Sequence, residues 1–223
     1  SLLQAKSMTG VEYFTNLEKL DCSYNRVTSL DLANNTKLKE VNVSNNKLTS
    51  LVLPASVINV DASVNQLSTL DVSHAVGLKT LNVAGNKLVS FNVAQNKALT
   101  SLNVGDNDLV SLDVTKLLSL TELSCGGNEI SLLNLSNNTV LTALDCHGNN
   151  LTSLDLAKNT ALTTLDCGDN AIATIYLGTE KLTSLDCANN ALTSINVALQ
   201  TKLAEFDCFH NKLAQLDVTK CTK

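Results

Sequence analysis

The chain has 223 residues and a formal net charge of −5, with 44% hydrophobic but only 3% aromatic residues. A core of Leu, Val, Ala and Cys suits thin, uniform layers better than one large globule. Arg26 is the only arginine. Proteins that bind nucleic acid usually carry a surface patch rich in Arg and Lys, so no nucleic-acid partner is expected. No run of about 18 consecutive apolar residues occurs, so no membrane span is predicted in this chain.

The chain is organised by an internal repeat. Residues 1–16 precede the first full unit and are predicted to be a partial repeat or the N-terminal edge of the fold. From there an equivalent apolar residue recurs every 19 to 21 residues, at Leu17, Leu38, Val57, Leu78, Leu99, Leu120, Leu141, Leu162, Leu182 and Leu203. A fixed period of this size indicates stacked repeats. Residues 17–223 are therefore predicted to be ten repeats in a single solenoid domain.

Each unit contains two half-units. In the unit that starts at Leu141, the triplet Leu144-Asp145-Cys146 is followed ten residues later by Leu154-Asp155-Leu156. Alternation of apolar and polar residues indicates a half-buried strand. We therefore expect mainly β structure, with about ten coils that form a parallel main sheet and short second strands or turns on the other face. Parallel crossovers are nearly always right-handed, so a right-handed solenoid is predicted.

An asparagine occupies the same position in the first half of every unit. An amide carries both donors and an acceptor, so a buried Asn can satisfy backbone groups where the chain turns. Exposed turns would also accept Gly, Asp or Ser, which never occur here. We predict a structural asparagine ladder, formed by Asn25, Asn46, Asn65, Asn86, Asn107, Asn128, Asn149, Asn170, Asn190 and Asn211.

The second half-unit is less regular. The matching position holds several residue types, among them Asn35, Asn96 and Glu180, and residues are lost near Pro54 and Gly178. Length variation in one half predicts that this half is the outer, less constrained face. The first half would then form the main sheet.

Six of the seven cysteines share one position, at the inward end of the first strand: Cys22, Cys125, Cys146, Cys167, Cys187 and Cys208. Other units place Val or Ala there, so we predict a structural ladder of buried free thiols that act as small hydrophobic side chains. Parallel side chains in a ladder do not point toward each other, which disfavours disulfides. No C-x-x-C or nearby His pair suggests zinc, and no metal site or cofactor is predicted.

The pattern LxxLxCxxNxLxxLDLxxNxx, seen from Leu141 to Ala161, resembles the 21-residue bacterial leucine-rich repeats of the IRREKO type, as in internalin J-like surface proteins. The segment from Met8 to Leu17 is also similar to internalin repeats. The resemblance covers essentially the whole chain. It implies a leucine-rich-repeat solenoid (α/β by the convention of that family) and a bacterial cell-surface or secreted location, with a role in adhesion or recognition.

No catalytic constellation is evident, and the chain is predicted not to be an enzyme. The three histidines lie in different units, and the Thr-Ser pairs repeat along the chain as solvated strand residues do. The Gly126-Gly127 pair is one turn and not a phosphate-binding motif. A lyase of the β-helix type would need a polar cluster that breaks the repeat, and the sequence contains none.

A binding face is expected at the outward strand positions of the main sheet. The central outward row ends in four aspartates, Asp145, Asp166, Asp186 and Asp207, with His147, Asp169, Phe209 and His210 nearby. One interpretation is that Asp belongs to the repeat consensus, solvated and hydrogen-bonded. The other is that the row binds a basic protein segment, a sugar or calcium, because like charges about 5 Å apart repel each other.

The sequence therefore predicts recognition or adhesion at a bacterial surface through the solenoid face, by a monomer whose ligand is a protein or glycan, including one derived from a host. The alternative is a structural spacer that projects another domain from the cell surface and has no ligand of its own. A saturable ligand would separate these two hypotheses.

Overall fold

The computed structural model describes residues 4–219 and 221, and the chain forms two compact units, Ser1–Leu109 and Val110–Lys223. Within the described residues, regular structure consists of short parallel β-strands and one single-turn 3₁₀ helix, Val11–Tyr13. The prediction of a mainly β, parallel-sheet solenoid is confirmed. The prediction that residues 17–223 are a single domain stays a prediction.

The first unit contains a main sheet of five parallel strands in the order β1, β3, β5, β6, β7. Two further strands pair with each other in a separate small sheet, β2 with β4. The main strands are Lys19–Asp21 (β1), Glu40–Asn42 (β3), Asn59–Asp61 (β5), Thr80–Asn82 (β6) and Ser101–Asn103 (β7), and the small sheet is Ser29–Asp31 (β2) and Ser50–Val52 (β4).

The second unit repeats this arrangement. Its main sheet has the strand order β8, β9, β11, β13, β14, and β10 pairs with β12 in parallel. The main strands are Glu122–Ser124 (β8), Ala143–Asp145 (β9), Thr164–Asp166 (β11), Ser184–Asp186 (β13) and Glu205–Asp207 (β14), and the second pair is Ser153–Leu156 (β10) and Thr174–Leu177 (β12).

The strands form where the alternation of residue types predicts them. In β9, Leu144 is 2% exposed, while the residues on either side are half-buried. Full burial of a leucine side chain contributes roughly 1.5–3 kcal/mol relative to exposure. No coil closes a core alone, so each leucine is covered by its counterparts in neighbouring coils. The main strands come from the first half of each repeat, as expected.

The first-half asparagines connect successive coils through their side-chain amides. Asn86 donates from Nδ2 to the carbonyl oxygens of Ala62 (3.0 Å) and Val83 (2.9 Å), and its Oδ1 accepts the amide of Leu67 at 3.0 Å. Asn149 makes the same set of bonds in the second unit. Each amide thus satisfies buried backbone groups in its own coil and in the preceding coil.

The second half is variable in length, but its amides are more deeply buried than the first-half asparagines. Asn35, Asn96, Asn138 and Asn159 are all 0% exposed. Asn159 donates to the carbonyl oxygens of Leu135 and Asn138 in the coil before it. The expectation of a less constrained half is therefore wrong at these positions, because the turn there also leaves buried carbonyl groups that need a donor.

The coil that starts at Leu162 is one residue shorter than most others, and the loss changes which residue is buried in its second half. The spacing assigns Glu180 to the amide position, but Glu180 is exposed, and the preceding Thr179 is buried instead. The Thr179 hydroxyl donates to the carbonyl of Leu162 at 2.9 Å, as the Ser56 hydroxyl donates to Leu38 in the other shortened coil. One coil later, the longer side chain of Gln200 reaches the carbonyl of Thr179 at 2.6 Å.

The same coil depends on a glycine. A Cβ built at Gly178 would overlap the backbone carbonyl of Ala157 and lie 2.6 Å from the oxygen of Leu156. Neither atom can rotate away. We therefore expect Gly178→Ala to lower the free energy of unfolding by about 1–3 kcal/mol, measured by chemical denaturation. Gly77→Ala is the matched control, because a Cβ there meets nothing within 4 Å. Equal stability of the two variants would contradict this account.

The cysteines at the strand ends are free thiols. Cys22, Cys125, Cys146, Cys167 and Cys187 are buried, while Cys208 and Cys221 are half-buried. Burial raises the pKa of the Cys125 and Cys187 thiols to about 12, because an apolar environment disfavours the thiolate. Burial also raises the pKa values of Cys146 and Cys167 well above 9. These side chains therefore act as small apolar groups at neutral pH.

Candidate functional site

The outward polar row of the main sheets has a structural role that is common to both units. Each Asp or Asn at the end of a main strand accepts a hydrogen bond at Oδ1 from the backbone amide two residues later. Asp61 caps Ser63 in this way at 2.9 Å, and Asp186 caps Ala188 at the same distance. Asn and Asp can interchange at these positions because both carry the accepting oxygen. This bond uses the single oxygen of each Asn and one of the two oxygens of each Asp. The second Asp oxygen is left for a neighbouring donor, as at Asp21 and Asp145, or for solvent or a ligand.

A groove of about 580 Å³ lies on the outward face of the first unit's sheet. All five main strands of this unit contribute to it. Its walls are the side chains and backbone of Lys19, Leu20, Asp21, Glu40, Val41, Asn42, Asn59, Val60, Asp61, Thr80, Leu81, Asn82, Ser101 and Asn103. The residue pattern predicts the central outward row of this face but does not mark it as a site.

The groove is polar and carries a net negative charge. Lys19 is its one basic side chain, and it pairs with Glu40 at 2.8 Å. Asp21 accepts a hydrogen bond from Asn42, and Thr80 donates to Asn59 at 2.8 Å. The cap at Ser23 lowers the pKa of Asp21, so this carboxylate remains charged at neutral pH. The surface therefore offers carboxylate oxygens, together with polar amide groups, to a ligand that carries hydrogen-bond donors.

In the second unit, parallel pairing places the four predicted aspartates side by side. Asp145 lies opposite Asp166, Asp166 opposite Asp186, and Asp186 opposite Asp207. We call these four residues the acidic row. Burial is the main cause that raises the pKa of Asp166, and the charges of Asp145 and Asp186 raise it further.

His147 is in direct contact with the acidic row. Its Nδ1 lies 2.6 Å from Asp145 Oδ1, and the hydroxyl of Ser124 donates to the other oxygen of Asp145 at 2.8 Å. Oxygen or nitrogen atoms of Asp145, His147 and Asp166 all lie within 4.8 Å of one another. The spacing of residues along the chain does not reveal this group, because the ring orientation decides it.

The other predicted site residues form a separate chain of contacts. The amide of Asn189 donates to Asp169 at 2.8 Å, and its oxygen lies 2.9 Å from His210 Nδ1. The rings of Phe209 and His210 are tilted, with centroids 4.8 Å apart. Asp169, Asn189 and His210 all have positive φ angles of 50° to 52°. Phe209 is about half exposed, so its ring is available to a partner.

The part of the chain that the structure describes contains no helix with the length and apolar character needed to cross a bilayer.

Comparison with known proteins identifies the repeats. Residues 15–55 match the family model for leucine-rich repeats in two copies. The fold is similar to the functional domain of InlJ from Listeria monocytogenes, a domain described as including a cysteine ladder, with 35% identity and a TM-score of 0.84. The match covers 97% of this chain and 54% of the InlJ chain, so this chain spans about half the length of that relative. No match was found among curated proteins.

Two more distant structures have the same fold. An internalin, InlF, from Listeria monocytogenes is 23% identical, with a TM-score of 0.69 over 98% of this chain and 81% of its own. YopM, a leucine-rich effector protein from Yersinia pestis, is 26% identical, with a TM-score of 0.79 over 90% of this chain and 56% of its own. The chain therefore carries leucine-rich repeats, and its fold is that of a leucine-rich-repeat solenoid similar to the internalins.

Proposed function

We propose that this chain is a recognition module that binds a protein ligand through the outward face of its parallel sheets. The observation that carries this proposal is the groove of about 580 Å³ on the first unit, to which five neighbouring strands contribute polar side chains. Solenoids of this kind present extended sheet faces to their partners. The similarity to internalins and YopM supports a role in protein interaction.

The chemistry of the groove favours a basic protein surface. Three carboxylates, Asp21, Glu40 and Asp61, line it, against the single basic side chain of Lys19. Complementary charge accelerates association and selects the orientation of the partner. The lining contains no aromatic ring that a sugar could stack against, so we place a protein ligand ahead of a glycan.

The setting that fits this activity is a bacterial surface or its surroundings, with adhesion to a host component as the biological role. The support is the resemblance of the repeat to internalin-type repeats and the 35% identity to the InlJ domain. The spacer hypothesis makes the opposite prediction about ligands, because a spacer has no saturable partner.

The test is binding of the full chain to arrayed extracellular glycoproteins and, separately, to their released glycans. We expect saturable binding to one or more intact glycoproteins. Asp61→Arg reverses a charge in the groove and should weaken that binding at least tenfold, a loss of about 1.4 kcal/mol. Dissociation constants measured by surface plasmon resonance check this result.

Asp71→Arg is the matched control. Asp71 also caps a turn, through the amide of Ser73 at 2.9 Å, but it is not part of the groove lining. Both variants lose the same kind of turn bond, so a difference between them reports on the groove. Equal weakening by both variants would contradict the groove as the site. Binding to released glycans alone would change the ligand class, and the absence of any saturable ligand would favour a spacer.

A further inference from the structure

Three metal-ligating side chains converge on the outward face of the second unit's sheet. Asp145 ends β9, Asp166 ends β11, and parallel pairing sets them opposite each other. His147 follows Asp145 by two residues, at a row position where most other units carry Ser, Ala or Gly. All three side chains are half-buried, and their ligating atoms lie within 4.8 Å of one another.

The backbone around His147 is shaped to accept its ring. A Cβ at Gly126 would overlap the imidazole and lie 2.9 Å from Asp145 Oδ1. On the other side, a Cβ at Gly168 would lie 3.5 Å from Asp166 Oδ1. The two glycines thus flank the imidazole in the same row and leave the space around the three donor atoms open. A side chain at Gly126 would force the ring away from this position.

The three donor groups are close enough to share one ion after a small adjustment. His147 Nδ1 and Asp145 Oδ1 are 2.6 Å apart, a hydrogen-bond distance, whereas neighbouring ligands of a tetrahedral Zn²⁺ with bonds of about 2.1 Å lie roughly 3.4 Å apart. A bound ion would therefore replace this hydrogen bond. Asp166 uses one oxygen to cap Gly168 at 3.1 Å. A carboxylate can accept that bond and still offer its second oxygen to a cation.

The local charge balance also favours a cation. His147 pairs with Asp145, and parallel pairing continues the row with three further carboxylates, Asp166, Asp186 and Asp207. In the first unit the equivalent row alternates Asp with neutral Asn, as in Asn42 and Asn82. The second unit therefore concentrates negative charge where the imidazole is present.

We propose that Asp145, His147 and Asp166 form a binding site for a divalent transition-metal ion, with Zn²⁺ as its representative. An imidazole nitrogen together with carboxylate oxygens is a donor set that suits zinc and its neighbours. Calcium takes six to eight oxygen ligands instead. Three protein ligands leave the remaining positions to water or to a group from a partner. This site departs from the expectation, drawn from the sequence, of no metal ligands.

The test is calorimetric titration of the metal-free full chain with Zn²⁺ and, in parallel, with Ca²⁺. We expect one saturable zinc site and calcium binding at least tenfold weaker. His147→Gln and Asp166→Asn should each weaken zinc binding at least tenfold. The second variant keeps the turn cap, since Asn occupies the equivalent position in other units at Asn42, Asn82 and Asn103. Gly126→Ala should also weaken binding, although it removes no ligand.

The control variant is His210→Gln, which removes an imidazole outside the three-residue group and should leave zinc affinity unchanged. Co²⁺ serves as a spectroscopic probe, because coordination by the free thiols would produce a thiolate charge-transfer band and coordination by this site would not. Zinc affinity that is unchanged in both His147→Gln and Asp166→Asn, or a cobalt spectrum dominated by thiolate, would overturn the proposal. Unchanged circular dichroism of each variant establishes that it remains folded.

Discussion

Asn149→Leu should lower the free energy of unfolding by about 3–6 kcal/mol. Asn149 donates to the carbonyl oxygens of Cys125, Cys146 and His147 at 3.0 to 3.1 Å, and its Oδ1 accepts the amide of Ile130 at 2.9 Å. Leucine has a similar size but makes none of these bonds. Each buried backbone group left without a partner costs about 1–3 kcal/mol. Urea denaturation followed by circular dichroism measures the change.

Asn150→Leu is the matched control, because it places the same substitution at the next residue. Asn150 is exposed, and its amide makes one bond, to the carbonyl of Glu129 at 3.3 Å. The equivalent position elsewhere holds residues as different as Lys47 and Ala171. A change within about 0.5 kcal/mol is expected there. If Asn149→Leu costs no more than Asn150→Leu, the amide does not hold the coils together.

Alkaline pH should destabilise the second unit through its buried thiols. The pKa values of Cys125 and Cys187 are about 12 in the folded chain, against an ordinary value near 9. The unfolded chain therefore releases protons above pH 9 that the folded chain retains. This contribution to stability is fully present below pH 9 and is lost as the pH rises toward 12. The loss is about 1.4 kcal/mol per pH unit for each such thiol.

The measurement is the free energy of unfolding by denaturant at pH 8, 9 and 10, under reducing conditions. Cys146→Val and Cys167→Val together form the control, because valine already occupies this position at Val43, Val83 and Val104. Above pH 9, the free energy of unfolding of the double variant should fall with pH about half as steeply as that of the unchanged chain. Its stability at pH 7 should differ by less than about 1.5 kcal/mol per substitution, since both residues are small and apolar. An identical slope in the variant would show that other groups cause the alkaline loss.

Prediction from the sequence succeeded where neighbouring residues and the repeat period carry the information. The x-Leu-x triplets predicted the strands, because alternation along a strand is a local property. The exchange of Cys with Val and Ala predicted a small apolar environment at Cys146, and the structure buries this thiol. The recurrent Asn indicated a turn amide with several partners, and Asn86 has four backbone partners in the structure.

Prediction failed where the length of the repeat changes. Counting along the chain assigned Glu180 to the amide position, whereas Thr179 occupies it. The backbone of a turn can accommodate the loss of one residue at several positions. Which residue then takes the buried position depends on which side chain can reach the unpaired carbonyl. The second half is also more constrained than its variable length indicates, because Asn96 and Asn138 are 0% exposed.

The amino-acid sequence by itself determined the period, the inward leucines and the recurrent positions of Asn and Cys, because these follow from residue spacing within a single coil. Only the tertiary structure decided which outward side chains meet across coils. The contact between His147 and Asp145, and the groove to which five strands of the first unit contribute, depend on strand register and ring orientation. These contacts join residues about twenty positions apart in the chain. A shift of one residue in strand register would bring different side chains together and present a different surface.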